Sequence, residues 1–113
     1  MTDPTILFQV ERRTWVRLRS DRDLRCQQLT GTPHTGWLGK VLDISRGGIR
    51  FILSRQILPG TELLIELATS AGEVRRLPVQ VIHSRLKKDG CWIVGCAFAS
   101  TLSSAELRTF LPE

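Results

Sequence analysis

Apolar and polar residues alternate along much of this chain in a pattern that predicts short β-strands. In residues 61–67, Leu63, Ile65 and Leu67 fall on one face of an extended segment, and Glu62 and Glu66 fall on the other. This alternation is typical of a half-buried strand. A Pro-Gly pair precedes the segment and a Ser-Ala-Gly run follows it. We therefore expect a hairpin that leads into a second strand over residues 74–83.

Other segments complete a set of six predicted strands. Residues 91–98 are apolar on both faces apart from Gly95, which predicts a central strand. Pro78 indicates that the 74–83 strand lies at an edge or carries a bulge. Further strands are predicted over residues 23–28, 37–44 and 48–53. The fold class is therefore all-β, and we expect a small six-stranded antiparallel β-barrel.

A short C-terminal helix follows the strands. Ser103-Ser104-Ala105-Glu106 has the sequence of a capping box, and Leu107, Phe110 and Leu111 follow at helical spacing. Residues 1–21 are too polar and irregular to join the core, so we interpret them as a flexible, arginine-rich N-terminal arm. Residues 22–113 then form the barrel with its helix.

The composition is that of an ordinary globular domain. The chain has 113 residues, of which 42% are hydrophobic and 24% charged, and no apolar run is long enough to span a bilayer. The N-terminus does not resemble a signal peptide, so a cytoplasmic location is expected. Cys26, Cys91 and Cys96 are odd in number and lack metal-ligand spacing, which favours buried thiols and predicts no metal and no cofactor.

Positive charge is concentrated near the N-terminus. The formal net charge is +5, and six of the thirteen arginines lie between Arg12 and Arg25. Only three acidic residues occupy almost the same stretch. Such a cluster indicates an anionic partner, which is a nucleotide, a nucleic acid or a membrane surface, unless the segment is merely a solvated basic surface.

Three arginines in this cluster are candidate ligand-binding residues. Arg12, Arg13 and Arg17 offer planar guanidinium groups, which bind phosphate oxygens and the O6/N7 edge of guanine and stack on purine rings. Trp15 lies between them and is placed either to stack on a base or to pack the arm against the barrel.

A second run, about thirty residues later, offers the complementary groups. Asp43 can accept hydrogen bonds from guanine N–H groups, Ser45 can donate or accept, and Gly47-Gly48 allows a ligand to approach the backbone. Arg46 and Arg50 flank this run and are candidate accessory phosphate contacts, or surface arginines without a role. An anionic guanine nucleotide would satisfy both runs.

These residues resemble the two motifs of the PilZ domain, the bacterial receptor module for the second messenger cyclic di-GMP. The R-x-x-x-R motif of that family is matched by Arg13 and Arg17, and its [D/N]-x-S-x-x-G motif is matched by Asp43, Ser45 and Gly48. The resemblance extends to a Pro-Gly turn before an alternating strand and to a late G-x-x-F strand ending followed by a helix. It therefore covers nearly the whole chain.

The resemblance implies that the chain binds cyclic di-GMP and is not an enzyme. Arg13 and Arg17 would clamp phosphates and the Hoogsteen edge of a guanine, while Asp43 and Ser45 would hold a guanine from the barrel side. Arg12, directly before the motif, favours two stacked ligands per chain. Binding would order the arm over the barrel and signal to an unidentified downstream protein or attached domain.

Two other classes of function are weighed against this one. A β-barrel with a basic arm that binds single-stranded nucleic acid, or another anionic partner, is the alternative. However, the chain has no tyrosine and only seven aromatic residues, which offers little for base stacking. An enzyme is disfavoured because Ser45 is not in a G-x-S-x-G elbow and neither histidine has a partner at motif spacing.

Overall fold

A computed structural model describes residues 18–20, 22–29 and 36–111. The strands are β1 (Leu18–Arg19), β2 (Asp23–Gln28), β3 (Trp37–Ile44), β4 (Gly48–Leu53), β5 (Glu62–Ala68), β6 (Val74–Leu86) and β7 (Trp92–Phe98), and they are followed by helix α1 (Ser104–Thr109). All six predicted strands are present. β6 extends three residues further than the alternation predicted, because it continues into the hairpin with β7.

Six of the strands close into an antiparallel barrel. Neighbouring strands follow the order β3-β2-β5-β6-β7-β4, and β4 pairs in turn with β3. The predicted fold class is therefore confirmed. β7 lies between β4 and β6, as expected for the most apolar strand. Pro78 in β6 pairs with Leu64 of β5 and precedes the first β6–β7 pair, so it occupies a position with a strand neighbour on one side.

The barrel interior is filled by the inward-facing residues of every strand from β2 to β7. Its largest fully buried side chains include Phe51, Ile49, Leu63, Ile65 and Val94. Two cysteines, Cys26 and Cys96, are fully buried in the same cluster, whereas Cys91 is half-buried. Among the described residues, no helix is long and apolar enough to cross a membrane.

The C-terminal helix adds its apolar face to this core. Leu107 and Phe110 are buried in the same cluster as the strand residues. The predicted capping box is confirmed: the Glu106 amide donates to Ser103 Oγ at 3.0 Å, and the Ser103 amide donates to Glu106 Oε1 at 3.0 Å. The cap satisfies two amides that the first helical turn leaves without partners.

The two-residue strand β1 was not predicted. Leu18 and Arg19 pair with Ile44 and Asp43 of β3, along the same edge of β3 that β2 follows further on. The physical reason is Leu18, a partly buried residue that packs against the core and gives this end of the predicted arm an apolar anchor. The rest of that arm, residues 1–17 and 21, lies outside the described residues.

Candidate ligand-binding site

Two β-bulges turn polar side chains out of the barrel. On β3 the register shifts between Val41, which pairs with the core residue Phe51, and Asp43, which pairs with Arg50. Strict alternation from Val41 would point Asp43 inward. The extra residue reverses the phase, so the carboxylate faces the outer surface. Bulges re-aim side chains in this way beside many functional sites.

Asp43 forms an ion pair with Arg50 across strands β3 and β4. Arg50 Nε lies 2.9 Å from Asp43 Oδ2 and 3.2 Å from Oδ1, and Arg50 Nη2 also donates to Oδ2. The Asp43 residue is only 6% exposed, while the Arg50 side chain is 29% exposed. Hydrogen bonding to Asp43 raises the pKa of Arg50 above its ordinary value. The carboxylate is therefore already engaged by a guanidinium fork.

The loop between β3 and β4 is organised by Ser45. Its Oγ accepts hydrogen bonds from the amides of Gly47 at 3.3 Å and Gly48 at 3.2 Å, and its own amide donates to the Gly48 carbonyl at 2.9 Å. The side chain is almost completely buried. In this structure the Ser45 hydroxyl thus shapes the loop, and its predicted contact with a guanine stays a prediction.

Arg46 and Gly47 fasten this loop to the segment that leads into the helix. Arg46 Nε donates to the Leu102 carbonyl at 2.9 Å, and the Leu102 amide donates to the Arg46 carbonyl at 2.8 Å. The Phe98 amide donates to the Gly47 carbonyl at 2.9 Å. These long-range bonds connect the loop to the end of β7 and to the segment before the helix, and they give Arg46 a structural role in addition to any phosphate contact.

Gly95 and His83 continue the site across β7 and β6. Gly95 pairs with Arg50 on one side and with His83 on the other, and a second bulge, between Val81 and His83, turns the histidine outward. A Cβ at Gly95 would lie 2.4 Å from the His83 ring, so a larger residue would require the imidazole to leave this position. Arg50, His83, Arg85 and Ile93 line a shallow pocket of about 310 Å³ here.

The structure brings together four of the predicted site residues, Asp43, Ser45, Gly47 and Gly48, in one strand end and its loop. Arg12, Arg13, Trp15 and Arg17 lie outside the described residues. However, β1 begins at the residue that follows Arg17 and pairs with Ile44 and Asp43. The chain that follows the R-x-x-x-R motif is therefore paired with the first residue of the second motif.

Sequence reasoning did not single out His83 or pair Arg50 with Asp43. Strict alternation from the buried Val81 would predict that His83 points into the core. The bulge between Val81 and His83 turns the histidine outward instead. The sequence did contain one signal that Arg50 belongs to the site. Arg50 follows Gly48 of the second motif by two residues, so the two share one face of β4. Among the described residues, no three histidine, cysteine or acidic side chains lie close enough together to hold a metal ion.

Comparison with known proteins identifies the family. The sequence matches the PilZ domain family over residues 11–111, a range that includes both motifs. The chain belongs to the PilZ domain family. PilZ domains are binding and receptor domains rather than catalytic ones.

The fold of this PilZ domain is also found in a solved structure. The Bacillus subtilis inhibitor of motility, MotI (DgrA), is similar with a TM-score of 0.65 and 15% sequence identity. The similarity covers 85% of this chain and 46% of that one, so the PilZ domain spans about half the length of the similar chain. No curated protein sequence matches the chain.

Proposed function

We propose that this PilZ domain binds cyclic di-GMP on the outer face of the barrel, where β1 lies beside the end of β3. The observation that carries the proposal is the pairing of Leu18 and Arg19 with Ile44 and Asp43. It ties the residue that follows the R-x-x-x-R motif to the strand end that begins the D-x-S-x-x-G motif. Both motifs can then contact one ligand.

The chemistry of the two motifs fits the two halves of such a ligand. Arg13 and Arg17 supply guanidinium forks for phosphate oxygens and for the O6/N7 edge of guanine. Asp43 supplies a carboxylate for the guanine N–H donors. Ser45 and Gly48 hold the loop flat against the barrel through the hydrogen bonds of the Ser45 side chain, which leaves the base room to lie over it.

Isothermal titration calorimetry with cyclic di-GMP tests the proposal. We expect Arg13→Ala, Arg17→Ala and Asp43→Ala each to weaken binding by at least about tenfold, because each removes a hydrogen bond to a charged group. Arg13→Lys should also bind poorly, since a single ammonium group cannot form the fork.

A matched control is available on another part of the barrel. Arg76 on β6 lies 4.0 Å from Glu66 on β5 and pairs with it across the strands, so Arg76→Ala removes an equal charge away from the site. It should bind like the wild-type protein. Unchanged binding in all three site variants would refute the site assignment. Displacement of the ligand by a single-stranded oligonucleotide would instead favour the nucleic-acid alternative.

The arginine-rich N-terminal arm also bears on how many ligands bind and on how binding is signalled. Arg12 adds a third guanidinium group, so we propose that two stacked ligands bind per chain, and that Arg12→Leu shifts the calorimetric endpoint from two toward one. We further propose that ligand binding orders the segment before β1 and thereby presents a new surface to a partner. Amide exchange should then slow in that segment and around Asp43 to Gly48, while β5 stays unchanged.

A further inference from the structure

The carboxylate to which the proposed function assigns a guanine is paired with an arginine in this structure. Arg50 Nε and Nη2 both donate to Asp43, and the two residues are direct cross-strand partners on β4 and β3. Asp43 is 6% exposed, so little of its surface faces water. A guanine that takes both carboxylate oxygens side by side therefore competes with this fork.

The fork has the same hydrogen-bonding pattern as a guanine edge. Guanine N1–H and N2–H are two parallel donors on one planar group, and the Nε–H and Nη2–H of arginine are also two parallel donors on one planar group. A carboxylate accepts either pair in the same bidentate manner. Arg50 thus gives Asp43 the same pair of parallel N–H donors that a guanine base would give.

We propose that Arg50 is an internal stand-in for guanine, which occupies Asp43 in the ligand-free protein and is displaced from it when cyclic di-GMP binds. The inference rests on the proposed function. It gives Arg50 a positioning role: it holds a nearly buried carboxylate in one orientation, and it sets an energetic threshold that a ligand must overcome.

The surroundings of Arg50 permit such a displacement. Its side chain is 29% exposed, and on β7 its cross-strand partner is Gly95, which has no side chain to confine it. Beside it lies the shallow pocket of about 310 Å³ that His83, Arg85 and Ile93 also line. A guanidinium group released from Asp43 can move into this pocket and remain solvated.

A double-mutant cycle on cyclic di-GMP affinity tests the proposal through the sign of the coupling energy between Asp43 and Arg50. In the wild-type protein, binding gains the contact with Asp43 but breaks the pair with Arg50, so we expect Asp43→Ala to weaken binding about tenfold. In an Arg50→Met background the Arg50 fork no longer competes with that contact. Asp43→Ala should then weaken binding about a hundredfold, and Arg50→Met alone should bind more tightly than the wild type.

A coupling energy of the opposite sign would overturn the proposal. If Arg50 only supports Asp43 and stays bound to it, Arg50→Met will misplace the carboxylate, and Asp43→Ala will have a smaller effect in that background than in the wild type. Arg50→Lys, which keeps the charge but lacks the fork, gives the same sign to a smaller extent and serves if Arg50→Met does not fold.

Control variants separate this inference from the proposed function. The Glu66–Arg76 pair on β5 and β6 is likewise an arginine–carboxylate cross-strand pair, and its double-mutant cycle should show no coupling to ligand binding. If the wild-type protein does not bind cyclic di-GMP at all, the proposed function fails and the inference fails with it. If the wild type binds but the Asp43–Arg50 cycle has the opposite sign, only the stand-in role is refuted.

Discussion

Replacing Gly95 with alanine tests how closely the outer face of β7 is packed beside the proposed ligand site. An added Cβ would lie 2.4 Å from both Cε1 and Nε2 of His83, whereas ordinary contact with a Cβ begins at 3.4 Å. The imidazole would therefore have to move by about 1 Å. Overpacking of this kind costs roughly 1–3 kcal/mol, which corresponds to a fall of about 4–12 °C in Tm for a domain of this size.

The loss of stability caused by an added Cβ depends on whether the atom that it meets belongs to a side chain or to the backbone. The obstacle at Gly95 is the end of a side chain, which can rotate away. At Gly39 on β3, an added Cβ would lie 2.4 Å from the backbone carbonyl oxygen of Ile52, which cannot move without disturbing the β3–β4 pairing. We therefore expect Gly39→Ala to be more destabilising than Gly95→Ala, although the two closest distances are the same.

Thermal and urea unfolding of a double-mutant cycle with His83→Ala provides the assay. Once the imidazole is gone, Gly95→Ala should be neutral or stabilising by about 0.5 kcal/mol, because alanine is entropically less costly than glycine within a strand. The physical reasoning is refuted if Gly95→Ala destabilises the His83→Ala protein as much as it destabilises the wild type.

Two further predictions concern ionisable groups away from the site. Burial raises the pKa of Cys26 from 9.0 to about 12, so the folded protein holds that proton while the unfolded chain releases it. Between about pH 9 and 12 the Cys26 thiol should then contribute a fall of about 1.4 kcal/mol per pH unit to the free energy of unfolding. Urea titrations should show that Cys26→Ala makes this pH dependence shallower by that amount, with the buried Cys96 thiol accounting for a similar fall that remains. Hydrogen bonds from Ser103 lower the pKa of Glu106 below its usual 4.5. The backbone amide of Ser103 is the main cause, so the test is Glu106→Gln, which keeps an acceptor and removes the charge. This stabilisation is present above pH 4.5 and is lost as the pH falls, so Glu106→Gln should lower Tm at pH 7 and differ less from the wild type near pH 3.

Features that depend on neighbours along the chain were predictable from the sequence. The alternation of Leu63, Ile65 and Leu67 predicted β5, because side chains on a strand alternate between its faces regardless of the strand it pairs with. The capping box at Ser103 and Glu106 was predictable because both of its hydrogen bonds span three residues. The two motifs were recognisable for a similar reason, since their residue types and spacing are themselves the signal.

Features that depend on the register between paired strands, or on the assembled core, were decided only by the tertiary structure. The outward positions of Asp43 and His83 arise from bulges, and a bulge exists only relative to the register of a partner strand. The pairing of β1 with β3 depends on the apolar contact of Leu18 with a core assembled from the rest of the chain. The engagement of Asp43 by Arg50 depends on the same shifted β3–β4 register, which makes the two residues direct partners and places the carboxylate and the guanidinium on one face.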